Sequence, residues 1–146
     1  LRPGERIVDL RLARSGARAA MLVDDGQRTT LRVSGVVRGS DGVPNALTEP
    51  ILLPSSGSED SVEWAGDTNL LVSAYAAKPD ERVVPRIVSV DGTVRELNPL
   101  GGLRGISAGD DGAYYAETEE FVFLLVGSSW RAQELDRGVR DLSFPD

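Results

Sequence analysis

Histidine and cysteine are both absent from this sequence of 146 residues, and Lys78 is its one lysine. The first two absences exclude whole classes of chemistry. No Ser-His-Asp triad, imidazole base, or His- or Cys-ligated metal centre can be assembled. No disulfide can form, so cysteine gives no information on redox compartment. Long apolar runs are lacking too. The longest, FVFLLVG over 121–127, is far short of the roughly 20 residues that a membrane-spanning helix requires. The opening LRPGERIVDL has no apolar signal-peptide region. The chain therefore reads as a mature or trimmed piece whose targeting information lies outside it. Positive charge is outweighed: 16 Lys and Arg stand against 23 Asp and Glu, a net charge of −7. That balance argues against nucleic acid, whose phosphates need a basic face, and against anionic lipid.

What remains is ordinary for a globular domain, with 40% hydrophobic and 27% charged residues. The length is typical of one domain able to bury a real core. Helical periodicity is weak. Sixteen Gly and 8 Pro cut the chain into short runs that read as strands. RIVDLRL opens a first group. ARAAMLVDDGQRTTLRVSGVV supplies two strands over 18–23 and 29–37, joined at Asp25-Gly26, where glycine accepts positive φ. RGSDGVP is a polar loop, and ALTEPILLP an outer strand that tolerates Pro50 and Pro54 at an edge. SSGSED, over 55–60, is the most linker-like stretch. A second group then runs through SVEWA, NLLVSAYA, VVPRIVSV and TVREL, and a third through LRGIS, AYYAE, FVFLLVG and WRAQEL. VRDLSF begins the cycle again.

The chain thus repeats. Leu12, Trp64, Ile106 and Leu142 align, spaced 52, 42 and 36 residues apart, near the roughly 40–50-residue period of four-stranded propeller blades. The predicted fold is all-β, with four-stranded antiparallel propeller blades. There are about three of them, roughly 6–54, 61–100 and 103–138, with an extra strand at 139–144. A β-sandwich or irregular barrel also uses many short strands and stands as the rival. Propellers typically need at least about four blades. Three blades therefore make a part of a larger ring, or a chain that associates with another copy.

Several residues bear on chemistry. Asp110 and Asp111 in AGDDGAYY pair two carboxylates, which could form a calcium loop or the catalytic acid pair of a hydrolase. An EF-hand loop needs alternating ligands and a distal Glu, which are missing, so a polar turn around Gly112 is the simpler reading. Glu117, Thr118, Glu119 and Glu120 could take a cation or basic partner, or serve as solvated loop charge. Trp64 and Trp130 could each anchor a partner or stack on a sugar, but Trp64, at the start of a repeat, can wedge between blades and reads more simply as core. Tyr114 and Tyr115 must point to opposite faces of a strand, one buried and one exposed. Ser128 and Ser129 have only Lys78 as a potential base, and it sits in a polar loop. Arg11, Arg14, Arg18, Arg28, Arg32 and Arg38 form either a mixed-charge recognition face or a soluble surface with weak local pairs. No residue is assigned to catalysis, cofactor or metal, no cofactor is expected, and the partner-binding residues are unassigned.

The repeat, read with the segments LARSGARAAMLV, LRVSGVVRGSDGVPNALTEPILL, VEWAGDTNLLV and PRIVSVDGTVREL, resembles the β-propeller of the actinobacterial LpqB lipoprotein family. The resemblance is best over 13–97 and weaker from 103 onward, and LSFPD looks like the family's C-terminus. It implies a non-enzymatic interaction domain, preceded in the family by a lipidated signal and GerMN-type domains. It implies a place on the outer face of the cytoplasmic membrane, held by a lipid anchor not present here. The partner it implies is the extracellular domain of the Mtr sensor histidine kinase, with a role in envelope homeostasis and cell division. The alternative from the residues themselves is a carbohydrate- or peptidoglycan-binding sensor domain.

Overall fold

A computed structural model describes residues 2–109 and 112–133. The expected end of the third blade over 134–138 and the extra strand at 139–144 lie outside the described residues, as do Asp110, Asp111 and Leu142. Every element within them is a β-strand.

The first blade contains β1 (Arg6–Leu12), β2 (Arg18–Asp24), β3 (Thr29–Arg38), β4 (Pro44–Leu47) and β5 (Ile51–Leu53). The long β3 pairs with β4 at one end and β5 at the other, both antiparallel. These two are one outer strand broken around Pro50, which has no N–H to give to a ladder. Thr48 bridges the break. Its N–H donates to the Gly35 carbonyl at 2.9 Å, and its hydroxyl accepts the Gly35 N–H at 2.8 Å.

The second blade contains β6 (Ser61–Ala65), β7 (Asn69–Ser73), β8 (Arg82–Val83), β9 (Arg86–Ser89), β10 (Val94–Glu96) and β11 (Leu100–Gly101). Its main sheet runs β6-β7-β9-β10, and β8 pairs β11 beside it. The run VVPRIVSV is therefore not one strand. Pro85 divides it into β8 and β9, and the Pro85 carbonyl still accepts the Leu97 N–H at 2.9 Å between the two ladders. The third blade is a four-strand meander of β12 (Gly105–Ala108), β13 (Tyr114–Glu117), β14 (Val122–Val126) and β15 (Ser129–Gln133).

The blades pack face to face around two cores. The first joins Leu22, Leu31, Val33 and Leu53 of the first blade to Val62, Trp64, Leu70, Val72 and Val88 of the second. The second joins Leu71 and Ile87 of the second blade to Ile106, Ala116, Phe123, Leu125 and Trp130 of the third, with Leu97, Leu100 and Leu103 between. Side chains alternate along a strand, so Leu70 and Val72 enter one core while Leu71 enters the other. A middle blade covered on both faces has to read as the uninterrupted apolar run LLV. Fully burying each such aliphatic contributes about 1.5–3 kcal/mol. Three successive blade sheets, the second flanked by the β8–β11 pair, with β6 touching both β1 and β12, make a partial propeller and exclude the two-sheet sandwich.

Trp64 is in the core as expected, at 7% exposure. SSGSED does not behave as a linker. The Gly57 carbonyl accepts the Thr29 N–H at 2.8 Å, Ser55 Oγ donates to the Thr29 carbonyl at 3.4 Å, and Glu59 is buried with one oxygen accepting the Ser56 N–H.

Candidate interaction face

The turns that follow each blade's first strand gather at one end of the molecule. The β3–β4, β9–β10 and β14–β15 turns lie at that same end, because successive strands reverse direction. Polar groups brace these turns. Arg18 reaches across the blade boundary to the Asp67 carbonyl at 2.6 Å. Arg38 donates to the carbonyls of Gly42 at 3.0 Å and Gly16 at 3.1 Å. Asp91 accepts the Thr93 N–H at 2.9 Å, which holds its carboxyl below the usual range.

Between these turns opens a cleft of about 900 Å³ to which all three blades contribute. Arg11, Leu12 and Arg14 come from the first blade, Glu63, Trp64 and Asn69 from the second, and Ala108 and Tyr114 from the third. A side pocket of about 350 Å³ continues from Asn69 and Tyr114 to Ser89, Thr93 and Arg95. Arg11 pairs with Asp9 at 3.3 Å. Asp9 in turn accepts the Val62 N–H at 3.1 Å, so it satisfies a donor on the inner edge of the second blade. Burial pushes the Tyr114 hydroxyl above its ordinary pKa, so it stays a neutral donor. The cleft thus offers guanidinium, amide and phenol groups over an apolar floor, held by short braced turns. Its chemistry is that of recognition.

The other residues singled out from sequence are dispersed. Trp64 spends its indole N–H on the Arg11 carbonyl at 2.9 Å. Trp130 packs against the second core and donates to the Asn98 carbonyl at 3.0 Å. Tyr114 and Tyr115 do take opposite faces, Tyr114 against the second core, but both are half-buried rather than one buried and one exposed. Glu117 lies in β13, whereas Thr118 closes the next turn by accepting the Phe121 N–H at 3.2 Å. Glu119 and Glu120 line a cavity of about 510 Å³ at the opposite end, with Lys78, Arg104 and Phe121. Ser128 and Ser129 sit at the far end of β14 from that cavity, against Asn98, so no Ser–Lys dyad forms. Arg32 pairs with Glu5. Arg28 belongs to the β2–β3 turn, its N–H donating to Asp25 at 2.9 Å. Most of these arginines act as struts. Among the described residues no group of three or more acidic side chains could hold a metal.

Sequence reasoning missed Asp9, Glu59 and the Glu5–Arg32 pair. The Glu5–Arg32 pair and the Asp9–Val62 contact span 27 and 53 residues, beyond any local pattern.

Among solved structures, the chain is similar to a prolyl endopeptidase, with a TM-score of 0.56 and 18% identity over 96% of this chain and 23% of the other. It is also similar to prolyl oligopeptidase B from Galerina marginata, with a TM-score of 0.52 and 16% identity over 90% of this chain and 23% of that one. At these identities the likeness is one of fold alone, and the chain spans about a quarter of either enzyme's length. No curated protein matches the sequence. Residues 1–145 match the family model of the lipoprotein LpqB beta-propeller domain, and the chain belongs to that family.

Proposed function

We propose that this domain is a non-enzymatic protein-interaction module of an exported, membrane-anchored lipoprotein. Its binding face is the end that carries the three-blade cleft. The observation that carries the reading is the cleft itself. Side chains from all three inner strands converge on it, and the turns around it are fixed by Arg18, Arg38 and Asp91. A preorganised rim of this kind loses little freedom on binding. Family membership supports the export and the anchor.

The partner in this reading is the extracellular domain of the Mtr two-component sensor kinase, whose signalling in envelope homeostasis and cell division the domain would modulate. Calorimetric titration of the folded domain against that purified ectodomain is the test. Saturable binding is expected. A folded domain that releases no binding heat at any temperature tried would refute it.

A second reading has one observation in its favour. Tyr114 and Asn69 share a cleft, the aromatic-plus-amide pairing of a sugar site. Against it, Trp64 is almost wholly buried, and Tyr114 packs against the second core. Little aromatic face remains for a sugar ring. Titration with soluble peptidoglycan fragments separates the two readings.

A further inference from the structure

The face that the second blade turns toward the third changes character along its length. Leu71 pairs with Ile87, and Ile87 with Arg95. Asn69, nearer the cleft, pairs with Ser89. Paired residues share a face of a sheet. Leu71 and Ile87 fill the second core, so Asn69, Ser89 and Arg95 face the third blade as well. Stacked sheets close on the side chains of their inner faces, which are ordinarily apolar. Here the seam ends instead in an amide, a hydroxyl and a guanidinium.

These groups, with Ile87, Thr93 and Tyr114, line the side pocket of about 350 Å³. Its walls are the second blade and β13 of the third, so it stands between two blades of this chain. Every polar side chain in it can donate a hydrogen bond. No acid lines it, in a chain whose net charge is −7.

The uncommitted donors indicate the ligand. Ser89 and Thr93 direct their hydroxyls to Asp91. Among the described residues, neither the Asn69 side-chain amide nor the Tyr114 hydroxyl makes a hydrogen bond. Arg95 has no acidic partner there either. It donates to the Gly127 carbonyl at 3.3 Å, which ties it to the third blade and leaves most of its five N–H groups open. Burial raises the pKa of the Tyr114 hydroxyl, and the Arg95 charge opposes that rise, so the two groups lie close enough to act on one ligand. One fixed positive charge beside two neutral donors matches a singly charged acceptor. A carboxylate is such a group, and a guanidinium can grip it with two parallel bonds. A phosphate dianion would bring a second charge with no cation to meet it. An apolar group would leave the donors unpaired.

We propose that this pocket is a carboxylate site, filled by an aspartate or glutamate side chain of the protein that docks over the cleft. Arg95 holds the carboxylate, and Asn69 and Tyr114 donate to it. The inference rests on the reading of the cleft as the binding face, because the pocket opens onto it at Asn69 and Tyr114.

NMR titration of the folded domain with N-acetyl-glutamate tests the chemistry without any partner. Saturable shifts of the Asn69 side-chain amide and the Arg95 Nε–H are expected, with a dissociation constant of about 1–10 mM. N-acetyl-glutamine, the neutral analogue, should not bind. Arg95→Gln, at an exposed position, and Tyr114→Phe, which keeps the ring in the core, should each weaken N-acetyl-glutamate about fivefold or more. No saturation, equal binding of the amide, tighter binding of inorganic phosphate, or indifference to both substitutions would overturn the site. Calorimetry against the kinase ectodomain separates this inference from the reading beneath it. An ectodomain that binds wild type and Arg95→Gln alike overturns the carboxylate anchor and leaves the binding face standing. N-acetyl-glutamate binding without ectodomain binding supports the site and refutes that partner.

Discussion

The indole N–H of Trp64 donates to the backbone carbonyl of Arg11 at 2.9 Å, tying the first strand of one blade to the first strand of the blade before it. Trp130 repeats the device, reaching the Asn98 carbonyl at 3.0 Å from the third blade to the second. Trp64→Phe keeps most of the apolar contact and removes one hydrogen bond, leaving a carbonyl without its partner. The expected loss is about 1–3 kcal/mol. Trp64→Ala adds a cavity and should cost about 3–5 kcal/mol. Trp130→Phe should cost less than Trp64→Phe, because Trp130 is only half-buried and water can replace the bond. Urea denaturation reads all three, and equal losses at the two tryptophans would refute the argument.

Acid should weaken the first blade through Glu5. Its carboxyl is lowered to about 2, first by the hydrogen bond from Arg32 and then by the backbone N–H of Arg2. The unfolded value is about 4.3. A carboxyl depressed on folding stabilises fully above its unfolded pKa, and that stabilisation is lost as pH falls toward the folded value. Thermal melts from pH 6 down to pH 2 should therefore show Glu5→Gln melting below wild type at pH 6, with the gap narrowing on acidification. Asp24 and Asp25 are also depressed, chiefly by backbone N–H groups of their turn, so both proteins should lose stability in acid. A gap that stays constant with pH would remove Glu5–Arg32 as its source.

Local chemistry was readable in advance, and long-range partnership was not. The Asp25-Gly26 and Asp91-Gly92 turns follow from glycine at positive φ and from a carboxylate that caps nearby N–H groups. The buried Trp64 and the blade repeat follow from hydrophobic alternation. The division of VVPRIVSV at Pro85 had a visible signal in the proline, outweighed by the apolar residues around it. The docking of SSGSED had none, since a Ser- and Gly-rich stretch with two acids reads as solvent-exposed whether or not Glu59 turns inward. The cleft joins residues from positions 10 to 114, which only the blade stacking brings together. The arginines read as paired with acids because pattern shows charges, whereas Arg18 and Arg38 bind backbone carbonyls that every residue carries.

Two glycines at positive φ should respond differently to alanine. At Gly102, with φ of +71°, an added Cβ would sit 2.7 Å from the Pro79 carbonyl oxygen. That backbone is pinned, because the Gly102 N–H donates to Glu81 at 2.9 Å. At Gly92, with φ of +95°, nothing lies within 4 Å. Gly92→Ala should cost about 1–2 kcal/mol, the left-handed penalty alone. Gly102→Ala must add the displacement of the 78–81 loop and should cost more. Chemical denaturation of both variants decides this, and a Gly92→Ala loss equal to or above that of Gly102→Ala would contradict the geometry.

Charge reversal should distinguish the two ends of the molecule as binding faces. Arg14 lines the three-blade cleft, whereas Lys78 lines the cavity at the opposite end. If the kinase ectodomain docks over the cleft, Arg14→Glu should weaken calorimetric affinity about tenfold or more, with part of the loss in the association rate and dependent on salt. Lys78→Glu should change it by less than about twofold, as for a charge outside the contact. Circular dichroism of each variant separates lost binding from lost fold. The reverse ranking, with Lys78→Glu the weaker binder, would move the interface to the other end and leave the cleft without a role in partner recognition.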